Sequence, residues 1–126
     1  MTRYKNLETT IREILKSRAQ SRIYIYLLRK NGVKTEEIIR GTKLHPSTVR
    51  ETLSKMYVQE LIFRRKMKND TIGKNPYLYY PIPPIELLKR YASDIEERLN
   101  KLAKLSIKNK VNSFKPVKIN IAEKVK

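Results

Sequence analysis

Residues 35–62, TEEIIRGTKLHPSTVRETLSKMYVQELI, constrain this chain more tightly than any other stretch. Apolar side chains recur there at helical spacing on both sides of a short break. Thr35 is placed to cap the first helix, and Glu36 and Glu37 follow in its first turn, where the helix dipole favours acids. Ile38 and Ile39 are its expected buried residues, and Gly41 marks the turn. Pro46 then opens a second helix, 46–59, because a proline's missing N–H would be unpaired at that position anyway. His45, just before it, suits a cap or a phosphate neighbour. Val49, Leu53 and Met56, spaced by four and three, form the side facing the core. On a wheel of roughly 100° per residue, Ser47, Glu51 and Ser54 point away from that side, flanked by Arg50 and Lys55.

Charge decides what such a surface meets. Twenty-nine Lys and Arg stand against twelve Asp and Glu, a formal net charge of +17. The partner is therefore polyanionic, with nucleic acid the first candidate and an acidic membrane surface or acidic protein the second. Two short helices across a tight turn, in so basic a chain, are how a protein sets a helix in the major groove of double-stranded DNA. With 126 residues, 40% of them hydrophobic, the chain supports one core with an appended helix or tail. It contains no cysteine, which removes disulfides and thiolate chemistry. No apolar run approaches the ~20 residues of a bilayer span, and MTRYKNLETT lacks the apolar core of a signal peptide. The expectation is a soluble, cytoplasmic, nucleoid-associated protein with no membrane partner.

The flanks extend the pattern. Leu7, Ile11, Ile14 and Leu15 predict a helix from about Leu7 to Arg18. A second is predicted from about Ser21, its cap, to Lys30, with Ile23, Tyr26, Leu27 and Leu28 buried and Asn31-Gly32 ending it. After the central stretch, a strand from Leu61 runs through Arg64, Arg65 and Lys66 into Met67 and Lys68. The turn residues 69–76, with Lys74 among them, lead to a second strand, Tyr77–Tyr80. A basic hairpin directly after a helix-turn-helix is the wing of a winged helix. Pro81, Pro83 and Pro84 stop the strand and start a long helix, 84–105. Ile85, Leu88, Ala92, Ile95, Leu99 and Leu102 alternate at threes and fours, the seam of a coiled coil, widened by Leu87, Tyr91 and Leu105. Asp94–Arg98 and Glu97–Lys101 are i,i+4 pairs. A seam of over two heptads needs a partner surface, and a homodimer is the expected one. From about Ser106 the pattern fails, leaving a solvated basic tail, in which Val117, Ile119 and Ile121 alternate as a short strand or ordered extension would.

The run from Ser21 to Leu105 resembles winged-helix transcriptional regulators, especially the DNA-binding part of the TrmB family. SRIYIYLLRKNG, LHPSTVRETLSKM, LIFRRK, GKNP and PIPPIELLKR carry the likeness. Lys74-Asn75 stands where that family's Gly-Arg-Pro wing signature has its arginine. Short dimeric regulators of the MarR and Lrs14-like kinds are similar in layout. The resemblance implies a mainly α fold with a small β-hairpin wing, an α+β winged helix-turn-helix carrying a long C-terminal dimerisation helix. The implied organisation is a DNA-binding domain over 1–83, the dimerisation helix over 84–105 and a basic tail over 106–126. Full-length TrmB regulators carry a sugar-sensing domain that a chain of this length does not hold, so an inherited sugar effector is not expected; no small-molecule effector is identifiable in the sequence, and no cofactor is expected.

Each side chain then has an expected task. Arg50 is the candidate for a base edge, since a guanidinium pairs with guanine O6 and N7. Ser47 and Thr48 donate to phosphate or base, and Glu51 either accepts from cytosine N4 or orients Arg50. Thr35, His45, Ser54 and Lys55 complete the helix-turn-helix set. Arg64, Arg65, Lys66, Lys68 and Lys74 form the wing set, on phosphates or the minor groove, with strand alternation turning some away. Catalysis is not expected: a lone histidine, no metal-ligand spacing, no phosphate loop and no nucleophile elbow leave nothing to carry it. An architectural DNA coat and an RNA-binding or protein-docking winged helix are the other readings.

Overall fold

The computed structural model describes residues 2–67, 77–105 and 116–122. In chain order they form α1 (Thr2–Leu15), α2 (Arg18–Arg29), α3 (Thr35–Thr42), α4 (Pro46–Val58), β1 (Ile62–Lys66), β2 (Tyr77–Pro81) and α5 (Pro84–Leu105). This is the mainly helical winged-helix arrangement that the sequence predicts. Lys68, Lys74 and the rest of the connector 69–76 lie outside the described residues, as do tail positions 106–115 and 123–126. The chain divides into two compact units, Met1–Ile82 and Pro83–Lys126.

Helix ends are where the structure departs from expectation. Three helices end on a non-glycine residue in the left-handed region: Lys16 after α1, Lys43 after α3 and Glu60 after α4. Because Lys16 stops α1, Ser17 becomes the cap of α2, its hydroxyl accepting from the Gln20 N–H at 3.1 Å. Ser21 is not the cap. It is fully buried inside α2 and its hydroxyl donates to the Ser17 carbonyl at 2.6 Å. Nor is Gly41 the turn. It sits within α3, where a Cβ would run into the Tyr26 ring, and the chain pivots at Lys43. Thr35 is the first residue of α3 rather than its cap. The Glu37 carboxylate closes that end by accepting from the Lys34 N–H at 3.0 Å.

The core of the first unit gathers Ile11, Ile23, Tyr24, Ile25, Leu27, Val33, Ile38, Val49, Leu53, Met56, Leu61, Ile62 and Tyr79. In α2 the buried face turns from the expected Tyr26 and Leu28, both half-buried, to Tyr24 and Ile25. The phenol of Tyr24 finds a partner in the Ile82 carbonyl at 2.7 Å, and burial pushes its pKa up to about 12. α4 ends in a Schellman motif: the Leu61 N–H reaches the Met56 carbonyl at 2.9 Å and the Glu60 N–H the Tyr57 carbonyl at 3.0 Å. Met56 and Leu61 are both buried, so the turn is locked by apolar contact as well. β1 and β2 then pair antiparallel from Ile62↔Pro81 to Lys66↔Tyr77, and Val33 bridges the far side of Tyr79.

In the second unit, α5 forms both expected ion pairs. Arg98 Nε donates to Asp94 at 3.1 Å, and Lys101 reaches Glu97 at 3.7 Å. Ile85, Leu88, Leu99 and Leu102 of the seam are exposed, and so is Leu105, while Ala92 and Ile95 are half-buried.

Candidate nucleic-acid interface

α4 is built to project its N-terminus. Pro46 occupies the first turn, and His45 caps it with Nδ1 accepting from the Ser47 N–H at 3.2 Å. The Ser47 hydroxyl lies 2.8 Å from the same nitrogen. His45 therefore works as the predicted cap and ties up Ser47 in doing so. Val49, Leu53 and Met56 are buried as expected, and Thr52 joins them. Ser47, Arg50, Glu51, Ser54 and Lys55 are exposed on the remaining surface, and Thr48 is half-buried. Thr35 is only 2% exposed and lies in the wall of the cleft between α4 and the hairpin.

The hairpin sorts its cations by strand alternation. Arg64 and Lys66 share a face with Tyr77 and Tyr79, and Arg65 lies on the other with Phe63 and Tyr80, as the register requires. Phe63 stacks on Tyr80 with ring centroids 5.2 Å apart, and Arg65 stands 5.7 Å from that same Tyr80 ring. On the face toward α4, the Arg64 guanidinium is held between two rings, 4.1 Å from the Tyr57 centroid and 4.2 Å from that of Tyr77. Partial desolvation works to lower the Arg64 pKa. Hydrogen bonding with Tyr79 and the phenols of Tyr57, Tyr77 and Tyr79 outweigh it, and the net shift is upward. The charge is permanent.

One cleft unites these parts. Thr35 of α3 and Arg50, Leu53, Ser54, Tyr57 and Val58 of α4 line it with Arg64, Tyr77 and Tyr79 of the hairpin. It brings together Thr35, Arg50, Ser54 and Arg64 from the predicted set and leaves Arg65 outside. Tyr57 is the cleft residue that sequence reasoning missed. It stands seven positions after Arg50 and three after Ser54, which places it on the same face of α4. That spacing was the available signal.

An exposed polar helix behind a tight turn, with a basic hairpin folded against it, defines a winged helix-turn-helix transcription regulator. The family model described as the sugar-specific transcriptional regulator TrmB matches residues 17–85. The chain belongs to the TrmB family. Its fold is also that of a possible transcriptional regulator from Methanosarcina mazei Go1, at TM-score 0.62 and 20% identity over 78% of this chain and 86% of that one. A MarR family transcription regulator aligns at TM-score 0.53 and 15% identity, covering 84% of this chain and 73% of the other. A mutant of MepR from S. aureus aligns at TM-score 0.53 and 18% identity, covering 86% and 82%. No curated protein sequence matches the chain. Family and fold are those of transcription regulators, not of enzymes, and no helix among the described residues is long and apolar enough to cross a membrane.

Proposed function

We propose that this protein is a sequence-specific regulator that binds double-stranded DNA as a homodimer. α4 enters the major groove, and the basic wing, 64–76, lies on phosphates or the minor groove. The observation that carries this reading is the cleft in which Arg50 and Ser54 of the helix face an Arg64 already fixed between two tyrosines. Arg50 takes a base edge, Ser47, Thr48, Ser54 and Lys55 extend the contact, and Glu51 orients Arg50 or accepts from cytosine. Lys66 and Arg65 neutralise phosphates, as do Lys68 and Lys74 further along the wing, and this supplies the salt-dependent part of the affinity. The unit 1–83 binds DNA, the helix 84–105 pairs two copies, and the basic tail follows it.

Charge supports the division. α5 carries four of the chain's twelve acids against five bases, a net +1 in a chain of +17. Its exposed Ile85, Leu88, Leu99 and Leu102 suit an identical helix better than a phosphate backbone. A two-fold pair presents two copies of α4 to half-sites about one helical turn apart. Duplexes selected from a random pool test this directly. The selected duplex is expected to bind roughly 10³-fold or more tighter than bulk DNA. Arg50→Ala should erase most of that preference, whereas Lys66→Ala weakens all duplexes alike. Equal binding of selected and random duplexes would replace the regulator with an architectural coat.

A further inference from the structure

Residues 116–122 are not a free tail in this structure. They lie extended along α5, running antiparallel to it, and are held by side chains of the helix. Asn100 uses both ends of its amide on one residue: Nδ2 donates to the Val117 carbonyl at 3.1 Å and Oδ1 accepts from the Val117 N–H at 2.6 Å. One helical turn earlier, Glu96 Oε2 accepts from the Ile119 N–H at 2.8 Å. The spacings match physically. Two residues of extended chain advance roughly 6.6 Å, and four residues of helix advance about 6.0 Å. Each second backbone group of the segment therefore meets a helix residue four positions back. The ladder stops at the next rung, where Ala92 offers no polar group. There the helix and the segment leave a groove lined by Lys89, Ala92, Ser93, Glu96, Ile119, Asn120 and Ile121.

Asn100 explains itself in this light. Asparagine is a poor helix former, and a surface helix gains nothing from it unless a backbone lies alongside. A carboxamide donates from one atom and accepts at another, as the peptide groups of a neighbouring strand would. The segment lies on the flank of α5 and meets the seam at Glu96, which is the helical neighbour of both Ala92 and Leu99, while Ser93 and Asn100 stand further round the helix. Val117 and Ile121 are half-buried there, while Ile119 is left exposed, next to Ala92 across the groove.

We propose that this segment is a strap belonging to the dimerisation surface, and that a second copy of this chain docks on α5 and strap together. The inference rests on the homodimer reading above and adds the residues that shape its interface. Two observations name the occupant as a second copy: the apolar seam repeats at heptad spacing, which an identical helix fits, and α5 nets only +1 in a chain that otherwise repels itself. Asn100 is a positioning residue, acting through the strap, and Ile119 is a contact.

The test uses the full chain and two readouts, sedimentation equilibrium for the dimer constant and amide hydrogen exchange for the strap. Asn100→Ala is expected to speed exchange at Val117 and Ile119 and to weaken the dimer about tenfold, as loss of two hydrogen bonds would. Ile119→Ser, at an exposed position that leaves folding intact, should weaken the dimer severalfold with the strap still protected. Leu99→Asp should give a monomer. Should Asn100→Ala free the strap while both it and Ile119→Ser leave the dimer constant unchanged, the strap lies outside the interface and the inference is wrong. Unchanged exchange at Val117 in Asn100→Ala would refute the pin itself. A Leu99→Asp protein that dimerises normally, or a monomeric wild type, would instead bring down the homodimer reading on which the inference stands.

Discussion

Replacing Tyr57 with leucine removes no charge from the protein and should still weaken its grip on DNA. The reason lies in Arg64. Its guanidinium carbon stands 4.1 and 4.2 Å from the centroids of two tyrosine rings, one on α4 and one on β2. Each such contact is worth about 0.5–1 kcal/mol at an exposed site. A free arginine loses up to about 2 kcal/mol of rotamer freedom when it binds. The rings have already removed much of that freedom, so Arg64 meets the duplex with little left to lose. Tyr57→Leu takes away one ring and should weaken duplex binding by about 0.5–1 kcal/mol, roughly two- to fivefold. Arg64→Lys keeps the charge, loses both stacked faces and should cost about 1–2 kcal/mol, roughly five- to thirtyfold. Neither change alters the number of phosphates neutralised, so both should leave the slope of affinity against salt where it was. Fluorescence anisotropy on a labelled duplex at several salt concentrations measures affinity and slope together. The double variant should be little worse than Arg64→Lys alone, because both changes act on one preorganised group. Fully additive losses would mean that Tyr57 touches DNA on its own account. No loss in Tyr57→Leu would mean that the sandwich ties wing to helix and does nothing for binding.

Two further outcomes concern stability. Gly32 has φ +88°, and a Cβ there would sit 2.6 Å from the Tyr80 hydroxyl. Gly32→Ala should therefore lower the urea midpoint by the equivalent of about 1–3 kcal/mol, and an unchanged midpoint would show that the loop relaxes freely. Tyr24 gives a pH signature. Its phenol is neutral when protonated and its folded pKa is raised to about 12 from 10. The stability this contributes is complete below about pH 10 and disappears as the pH rises through about 12. Tyr24→Phe lacks the bond to Ile82 and should be less stable near neutrality by about 1 kcal/mol. Its deficit should shrink between about pH 10 and 12. Urea titrations across that range check this, and parallel loss in the two proteins would contradict the assignment.

The central helix-turn-helix was legible because its signals are local. Pro46 has one favourable place in a helix, and Val49, Leu53 and Met56 recur at a spacing only a helix uses. All three are buried. The errors fall where a helix ends without glycine. Lys16, Lys43 and Glu60 take a conformation that composition assigns to Gly or Asn. Nothing in those lysines or that glutamate announces it, so the cap of α2 was placed on Ser21, four residues late. Gly41 misled for the converse reason. Its lack of a side chain makes room for Tyr26, a tertiary requirement that looks like a turn in one dimension. The strap was half visible. The alternation of Val117, Ile119 and Ile121 marks an extended segment, but its partners on the helix are 17 and 23 residues away in sequence, and Asn100 carries no sign of what it pairs with until the two are adjacent.

Register is what converts these local facts into an interface. Side chains alternate across a strand, so a shift of one residue would exchange every side chain between the faces of the hairpin. The Schellman turn after α4, with the Leu61 N–H bonded to the Met56 carbonyl and both side chains buried, fixes where β1 begins. Ile62 therefore faces the core, and Arg64, two residues on, shares its side of the sheet and reaches back to Tyr57. Phe63 stacked on Tyr80 holds the opposite face in the same register. Had β1 begun one residue later, Arg65 would occupy the cleft beside Arg50 and Arg64 would face away. The choice between two adjacent arginines as the cleft-lining residue is thus made by the turn that ends α4. The packing that ends α4 and the chemistry proposed for its surface are, for that reason, parts of one device.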